Sequence, residues 1–157
     1  MSLFHRAAAM SIVLTGLGLA AAAQAAVPAS PYWGRWTVAD PDAVFTARGR
    51  EYQTIDIAPC GKDFCGVSVA ANGKCGPTLF RFLMKRAGGE EALRGKGKWG
   101  RDRKNVQIWL YNPEAPTEPK SMELYLGDGH NFGERSGSMP RFHANYQPAG
   151  ASKCNVS

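Results

Sequence analysis

The chain has 157 residues, of which 44% are hydrophobic and 20% are charged, and its formal net charge is +6. This length suits one domain, and the apolar fraction excludes wholesale disorder and the collagen-like and coiled-coil classes. The basic balance favours anionic partners, and the four cysteines favour disulfides in an oxidising compartment.

The first 25 residues have the three-part pattern of a secretory signal peptide. Arg6 precedes an apolar stretch over 7–23, and Ala23-Gln24-Ala25 supplies small residues at a cleavage site. The alternative is a membrane anchor, because about 17 apolar residues is the lower limit for a spanning helix. We expect cleavage after Ala25, export to the periplasm, and a mature domain over 26–157 without a transmembrane anchor.

The mature chain alternates apolar and polar residues with a period of two, as where Ile55 and Ile57 alternate with Thr54 and Asp56. Gly- or Pro-bearing breaks recur about every 8–14 residues, which is typical of antiparallel sandwiches and barrels. The pattern predicts strands near 32–38, 43–48, 51–58, 64–70, 77–86, 92–99, 105–112, 120–127, 130–136 and 140–147.

Such a meander removes its sheet edges by closing on itself. We therefore expect an all-β fold, an antiparallel meander that closes into a barrel of about eight strands. A barrel of that size is either filled by side chains or holds one small ligand. Large residues at inward positions favour a filled core; they are Phe80, Phe82, Met84, Leu93, Trp99, Ile108, Leu110 and Leu124.

The four cysteines are expected to form two disulfides. Cys60 and Cys65 flank a short turn at the mouth of a hairpin, where opposed residues lie within bridging distance. Cys75 and Cys154 are then left to pair. The segment 147–153 has the composition of an extended linker, so the second bridge would pin a flexible tail across a barrel end. Its loss is expected to cost only about 1–2 kcal/mol.

The densest charged segment is 94–104, which contains six basic residues, one acid and Trp99. On a strand over 92–99, alternate basic residues share one face, and the remaining bases fall in the following turn. A basic ridge beside an aromatic residue can bind anions; the alternative is a solvated face that protects a sheet edge. The candidate anion-binding residues are Arg94, Lys96, Lys98, Arg101, Arg103 and Lys104. Nucleic acid is not expected as a partner of an exported protein.

No motif predicts a catalytic centre. Ser136 is one place out of register with a nucleophile elbow, and His130 and His143 lack the spacing of zinc ligands. The carboxylates are scattered, without a pair suited to acid–base chemistry. We therefore expect a protein that is not an enzyme and has no metal and no cofactor.

Three motifs resemble those of known proteins. Gly34-Arg35-Trp36 resembles the Gly-x-Trp that opens lipocalin-like barrels. The segment from Ile55 to Val67, with Cys60 and Cys65-Gly66, resembles the signature of the family called domain of unknown function 2147. Tyr111-Asn112-Pro113 is similar to that family's Tyr-Asn-Pro element.

The resemblance covers residues 33–70 well and 71–157 loosely. It implies a periplasmic, lipocalin-like barrel without an assigned activity. It also implies that Gly34 and Trp36 belong to a plug at one barrel end, with Trp36 packed under an arginine of the last strand. Arg141 is the first candidate for that arginine and Arg135 the second, although Arg141-Phe142-His143 stands where the family has Trp-x-Arg.

These observations predict a monomeric, non-catalytic binding or envelope-accessory protein of the periplasm. Its partner would be an anionic envelope component or a small ligand. The alternative is a periplasmic inhibitor that blocks a hydrolase with a rigid surface loop, for which 112–119 is the candidate because it contains three prolines.

Overall fold

A computed structural model describes residues 30–40, 43, 45–83, 92–111, 120–130, 132 and 140–154. Within them a 3-10 helix, Gly49–Tyr52, lies between the first two of eight strands. The strands are β1 Gly34–Val38, β2 Thr54–Cys60, β3 Asp63–Val69, β4 Cys75–Leu83, β5 Ala92–Trp99, β6 Asp102–Tyr111, β7 Ser121–Gly127 and β8 Pro140–Gly150.

Each strand pairs antiparallel with the next, and β8 pairs with β1 to close the barrel. The predicted all-β fold, an antiparallel meander closing into a barrel of eight strands, is confirmed. The ladders differ in length: β5 and β6 share eight residue pairs, whereas β4 and β5 share two, Phe80↔Gly97 and Arg81↔Lys96. Among the described residues, the β4–β5 seam therefore has the fewest register pairs in the barrel wall. No helix in the described part of the chain is long and apolar enough to cross a membrane.

Two predicted strands differ from the structure. The described residues of 43–48 contain no strand, because the Thr46 carbonyl accepts the Arg50 N–H at 3.0 Å and turns the chain into the 3-10 helix. Of 130–136, only residues 130 and 132 are described, and neither lies in a strand.

The C-terminal segment was expected to be a linker and is instead part of the wall. β8 continues to Gly150, and Pro148 lies opposite Trp36 of β1. The register shifts between Arg35 and Trp36, so a bulge accommodates a proline that lacks an N–H. Residues 151–154 then cross the outside of the barrel; we call them the strap.

Among the residues that the structure describes, a cluster of 20 buried side chains fills the barrel interior. At one end Tyr32 stacks on Phe64 with ring centroids 5.9 Å apart. At the other end Tyr52 of the 3-10 helix packs on Trp99 and Phe142. The prediction of a filled core therefore holds for its described members; Met84 lies outside the described residues.

Two glycines of the motifs quoted above occupy positions where a side chain would not fit. Gly34 has φ +139°, and a Cβ there would lie 3.0 Å from the Gly150 carbonyl oxygen, so a side chain would strain the closure of β1 on β8. Gly66 leaves the space that the Phe80 ring fills, because a Cβ there would come within 2.1 Å of the ring. Both glycines thus serve packing.

Candidate functional site

The plug residue Trp36 is buried, and its Nε1 donates a hydrogen bond to the Tyr32 carbonyl at 2.9 Å. The expectation that Arg141 covers Trp36 is wrong. Arg141 lies at the opposite end of β8, is exposed and faces Asp128 at 3.4 Å. The cation over the Trp36 ring is Lys120, whose Nζ lies 5.4 Å from the ring centroid. Burial lowers the pKa of Lys120. The second candidate, Arg135, lies outside the described residues.

The predicted disulfide pairing is present, with Cα–Cα distances of 5.8 Å for Cys60–Cys65 and 5.5 Å for Cys75–Cys154. The register of the hairpin differs from the expected one. Cys60 lies opposite Asp63 across a two-residue turn, so the bridge to Cys65 is diagonal rather than between directly opposed residues. The long bridge fastens the strap to the start of β4 on the outer wall, not across a barrel end.

The strap is held by a buried carboxylate that sequence analysis did not single out. Asp56 of β2 is fully buried and accepts two hydrogen bonds from the Arg35 guanidinium, at 2.7 and 2.9 Å. Its Oδ2 also accepts the backbone N–H groups of Lys153 and Cys154, at 2.8 and 2.9 Å. Burial alone would raise the pKa of Asp56, but the bonds from Arg35 and the strap outweigh it and lower the pKa.

The structure separates the six candidate anion-binding residues into different environments. Arg94, Lys96 and Lys98 lie on the outer face of β5, as the alternation predicted, while Gly95 and Gly97 face the core side chains. Lys96 donates to Asn105 across the β5–β6 ladder.

Two further candidates also have partners. Lys98 pairs with Glu51 at 3.4 Å, and Lys104 pairs with Asp128. Of the remaining two, Arg101 lies in the β5–β6 turn as predicted, whereas Arg103, like Lys104, lies on β6 and not in the turn. The candidates therefore do not form one uniform ridge.

The seam between β4 and β5 is open at one end, and Arg101 and Arg103 lie beside this opening. Continuing the β4–β5 register would pair Leu79 with Lys98 and Thr78 with Trp99, but neither of these described pairs forms. The cause is in β4, which carries one extra residue relative to β3 at each of two register shifts. Bulges bend a strand and increase its twist. They leave the first half of β4 with register partners on β3 only.

A groove of about 340 Å³ occupies this opening, between β4 and the β5–β6 turn. That volume lies within the range of ligand pockets. Its floor is formed by residues 78–80 and Gly100, and its charged lining is Arg81, Lys98, Arg101, Asp102 and Arg103. Four bases against one acid make the groove strongly cationic.

Arg81 is the groove residue that sequence analysis missed. It lies on β4, remote in sequence from 94–104, and the register Arg81↔Lys96 brings it beside the basic segment. The one sequence feature that could have indicated Arg81 is its position as a charged residue between Phe80 and Phe82 in an apolar strand. Within the described residues, no ion pair or side-chain hydrogen bond engages the guanidinium groups of Arg81, Arg101 or Arg103.

A second cavity of about 500 Å³ is lined by Glu51, whose partner Lys98 lines the groove. The second cavity lies against Gly76 and Pro77 of β4, with Arg50 and Glu51 of the 3-10 helix on the other side. The Tyr52 hydroxyl donates to the Lys98 carbonyl and so ties the helix to β5. Thr54 of β2 and Ser68 and Val69 of β3 also line the second cavity, so it lies on the β3 side of β4, whereas the groove lies on the side facing β5.

A polar cluster on the outer wall of β6–β8 centres on Glu123. Its carboxylate accepts hydrogen bonds from Tyr125 at 2.6 Å, His143 at 2.7 Å and Tyr111 at 2.8 Å. Burial and the bond to Glu123 raise the pKa of Tyr111 to about 12. The His143 ring stacks on Tyr125 with centroids 4.2 Å apart. Since these groups satisfy one another, the cluster stabilises the wall and is a weaker ligand site than the groove.

Among the described residues, no group of three or more His, Cys, Asp or Glu side chains is arranged to hold a metal ion. Comparison with protein-family models, with curated proteins and with solved structures returned no match. The resemblance to domain of unknown function 2147 stays a prediction. So does the inhibitor hypothesis, because its loop, 112–119, lies outside the described residues.

Proposed function

We propose that this chain is an exported, non-catalytic binding protein of the periplasm whose cationic groove holds the anionic groups of an envelope component. The observation that carries the proposal is the convergence of Arg81, Arg101 and Arg103 on one groove without carboxylate partners in the described chain. The other basic residues of the segment lie outside the groove or, like Lys98, already have a carboxylate partner.

Electrostatics explains why such a groove attracts an anion. Like charges that line one concavity repel one another, and a bound carboxylate, sulfate or phosphate relieves that repulsion. Arginine suits this task because its planar guanidinium bonds an oxyanion through two parallel N–H groups. The two disulfides agree with an oxidising compartment such as the periplasm.

Retention on immobilised heparin at low salt tests the proposal. We expect Arg81→Gln/Arg101→Gln/Arg103→Gln to elute at clearly lower salt than the unaltered protein. The matched control, Lys62→Gln/Lys74→Gln/Lys153→Gln, removes the same charge at exposed positions outside the groove and should elute close to the unaltered protein. Equal losses in both variants would show that net charge acts diffusely and that the groove has no special role.

A further inference from the structure

The open edge of β4 points to the class of ligand that the groove takes. We propose that an extended acidic segment of a partner protein pairs with this edge and places its carboxylates beside Arg81, Arg101 and Arg103. This inference rests on the proposed function, since it names the partner that the same groove binds.

The first support is the shape of the opening. Residues 75–79 of β4, about 17 Å of an extended strand, pair with β3 at Cys75 and Thr78 and have no register partner on β5 within the described chain. The groove lies against Thr78 and Leu79 of this stretch. On the side facing β5 this edge has register partners only at Phe80 and Arg81. A strand of a partner can add to an unpaired sheet edge through main-chain hydrogen bonds.

The second support is charge complementarity. The groove carries four bases and one acid. In an extended peptide alternate side chains point to the same face, about 6.6–6.8 Å apart. A segment with acidic residues at alternate positions therefore presents several carboxylates to the arginines that line the groove.

The test uses a fluorescein-labelled ten-residue peptide of alternating Glu and Thr and measures its anisotropy with the full mature protein at low salt. We expect binding that weakens at least about tenfold in Arg81→Gln/Arg101→Gln/Arg103→Gln. The control Lys62→Gln/Lys74→Gln/Lys153→Gln should change the dissociation constant by no more than about twofold.

A second peptide tests the main-chain hydrogen bonds and leaves the protein unaltered. It has the same sequence with every second peptide bond N-methylated, which keeps the charge and removes donors. We expect it to bind at least about tenfold more weakly. Equal binding of both peptides would overturn edge pairing while the proposed anion-binding function stands.

Two further outcomes are informative. If heparin oligosaccharides or polyphosphate bind through the three arginines and the acidic peptide does not, the partner is not a protein segment and the inference is wrong. If none of these anions binds, the proposed function fails together with the inference.

Discussion

Asp56 joins three segments that are far apart in the chain: β1 through Arg35, β2 on which it lies, and the strap. It is a buried charge that accepts four hydrogen bonds. The carboxylate satisfies the four donors, and the donors compensate the cost of burying the carboxylate. Removing the charge would leave the Arg35 guanidinium without its partner.

Asp56→Asn should therefore lower the free energy of unfolding by about 3 kcal/mol, because it breaks a buried ion pair and weakens two backbone bonds of the strap. Urea unfolding followed by circular dichroism measures the change. The control is Asp128→Asn, whose carboxylate is exposed although it faces Lys104 and Arg141. It should unfold close to the unaltered protein, and an equal loss in both variants would contradict the role given to Asp56.

The loss in Asp56→Asn should also depend on pH. The pKa of Asp56 is lower in the folded state than the ordinary aspartate value of about 4. As pH falls below that value, the unfolded state takes up the proton first, so the stabilisation by Asp56 is present near neutral pH and is lost in acid. The stability difference between the two proteins should thus shrink from pH 7 to pH 3. A constant difference would mean that the carboxylate charge contributes nothing.

The cation over Trp36 is Lys120 in the structure, whereas the family resemblance implies Arg141. Substituting each residue in turn tests which of them stabilises the fold through Trp36. Lys120→Ala should lower the free energy of unfolding by about 1 kcal/mol, because it removes a half-buried cation–π contact. Arg141→Ala should have a smaller effect, since that side chain is exposed. A larger loss in Arg141→Ala than in Lys120→Ala would contradict the contact between Lys120 and Trp36 and would favour Arg141, which the family resemblance implies.

Residue roles of this kind were only partly predictable. The alternation of 92–99 correctly assigned Arg94 and Lys96 to the outer face, because a strand fixes the side of every second residue. The alternation did not assign the partners of Lys96, Lys98 and Lys104, because Asn105, Glu51 and Asp128 come from other elements. Asp56 looked like an ordinary solvent-facing strand residue, since nothing in its own strand indicates that the strap covers it.

Strand β4 is the element that opens the barrel wall, and its sequence contributes to the opening. Cys75-Gly76-Pro77 begins the strand, and proline cannot donate to a ladder. The two register shifts against β3 then turn this half of β4 away from β5.

Amide hydrogen exchange measured by NMR tests this opening. Amides of 75–79 should exchange at least about a hundredfold faster than those of 106–110, which lie on a strand paired on both sides. Similar exchange in the two segments would mean that β4 is paired with β5 over its whole length.

Elements were predictable where the period-two pattern was strong and unreliable where loops resembled strands. Most strands from β2 to β7 appear near their predicted positions, because one face of each is apolar and buried. The strand predicted over 43–48 is wrong in its described part, because a turn bond to the Thr46 carbonyl outweighs the alternation of apolar and polar residues there. The segment 147–150 failed in the opposite direction, because a bulge admitted the proline that indicated a linker.

Because the strap is bonded to the barrel, the long disulfide should contribute more to the free energy of unfolding than the sequence suggests. Its flexibility was the reason to expect a cost of only about 1–2 kcal/mol, but Cys154 is buried and its backbone is bonded to Asp56. Cys75→Ser/Cys154→Ser should therefore cost about 4 kcal/mol, near the loop-entropy value for a separation of 79 residues.

The short bridge gives the matched comparison. Cys60→Ser/Cys65→Ser opens a separation of 5 residues and should cost about 2 kcal/mol. Chemical denaturation of both variants measures the two losses. If the long bridge costs no more than the short one, the strap is not docked on the barrel in solution.

For the molecule as a whole, the proposed function depends on where anions bind a surface that carries many basic residues. The direct measurement is the map of backbone amide shifts in the ¹⁵N NMR spectrum during titration with a heparin oligosaccharide. We predict that the largest shifts fall on 78–81 and 98–103, on both sides of the groove. Largest shifts at Lys62, Arg94 or Lys153, or an even spread over the basic surface, would contradict the groove as the anion-binding site.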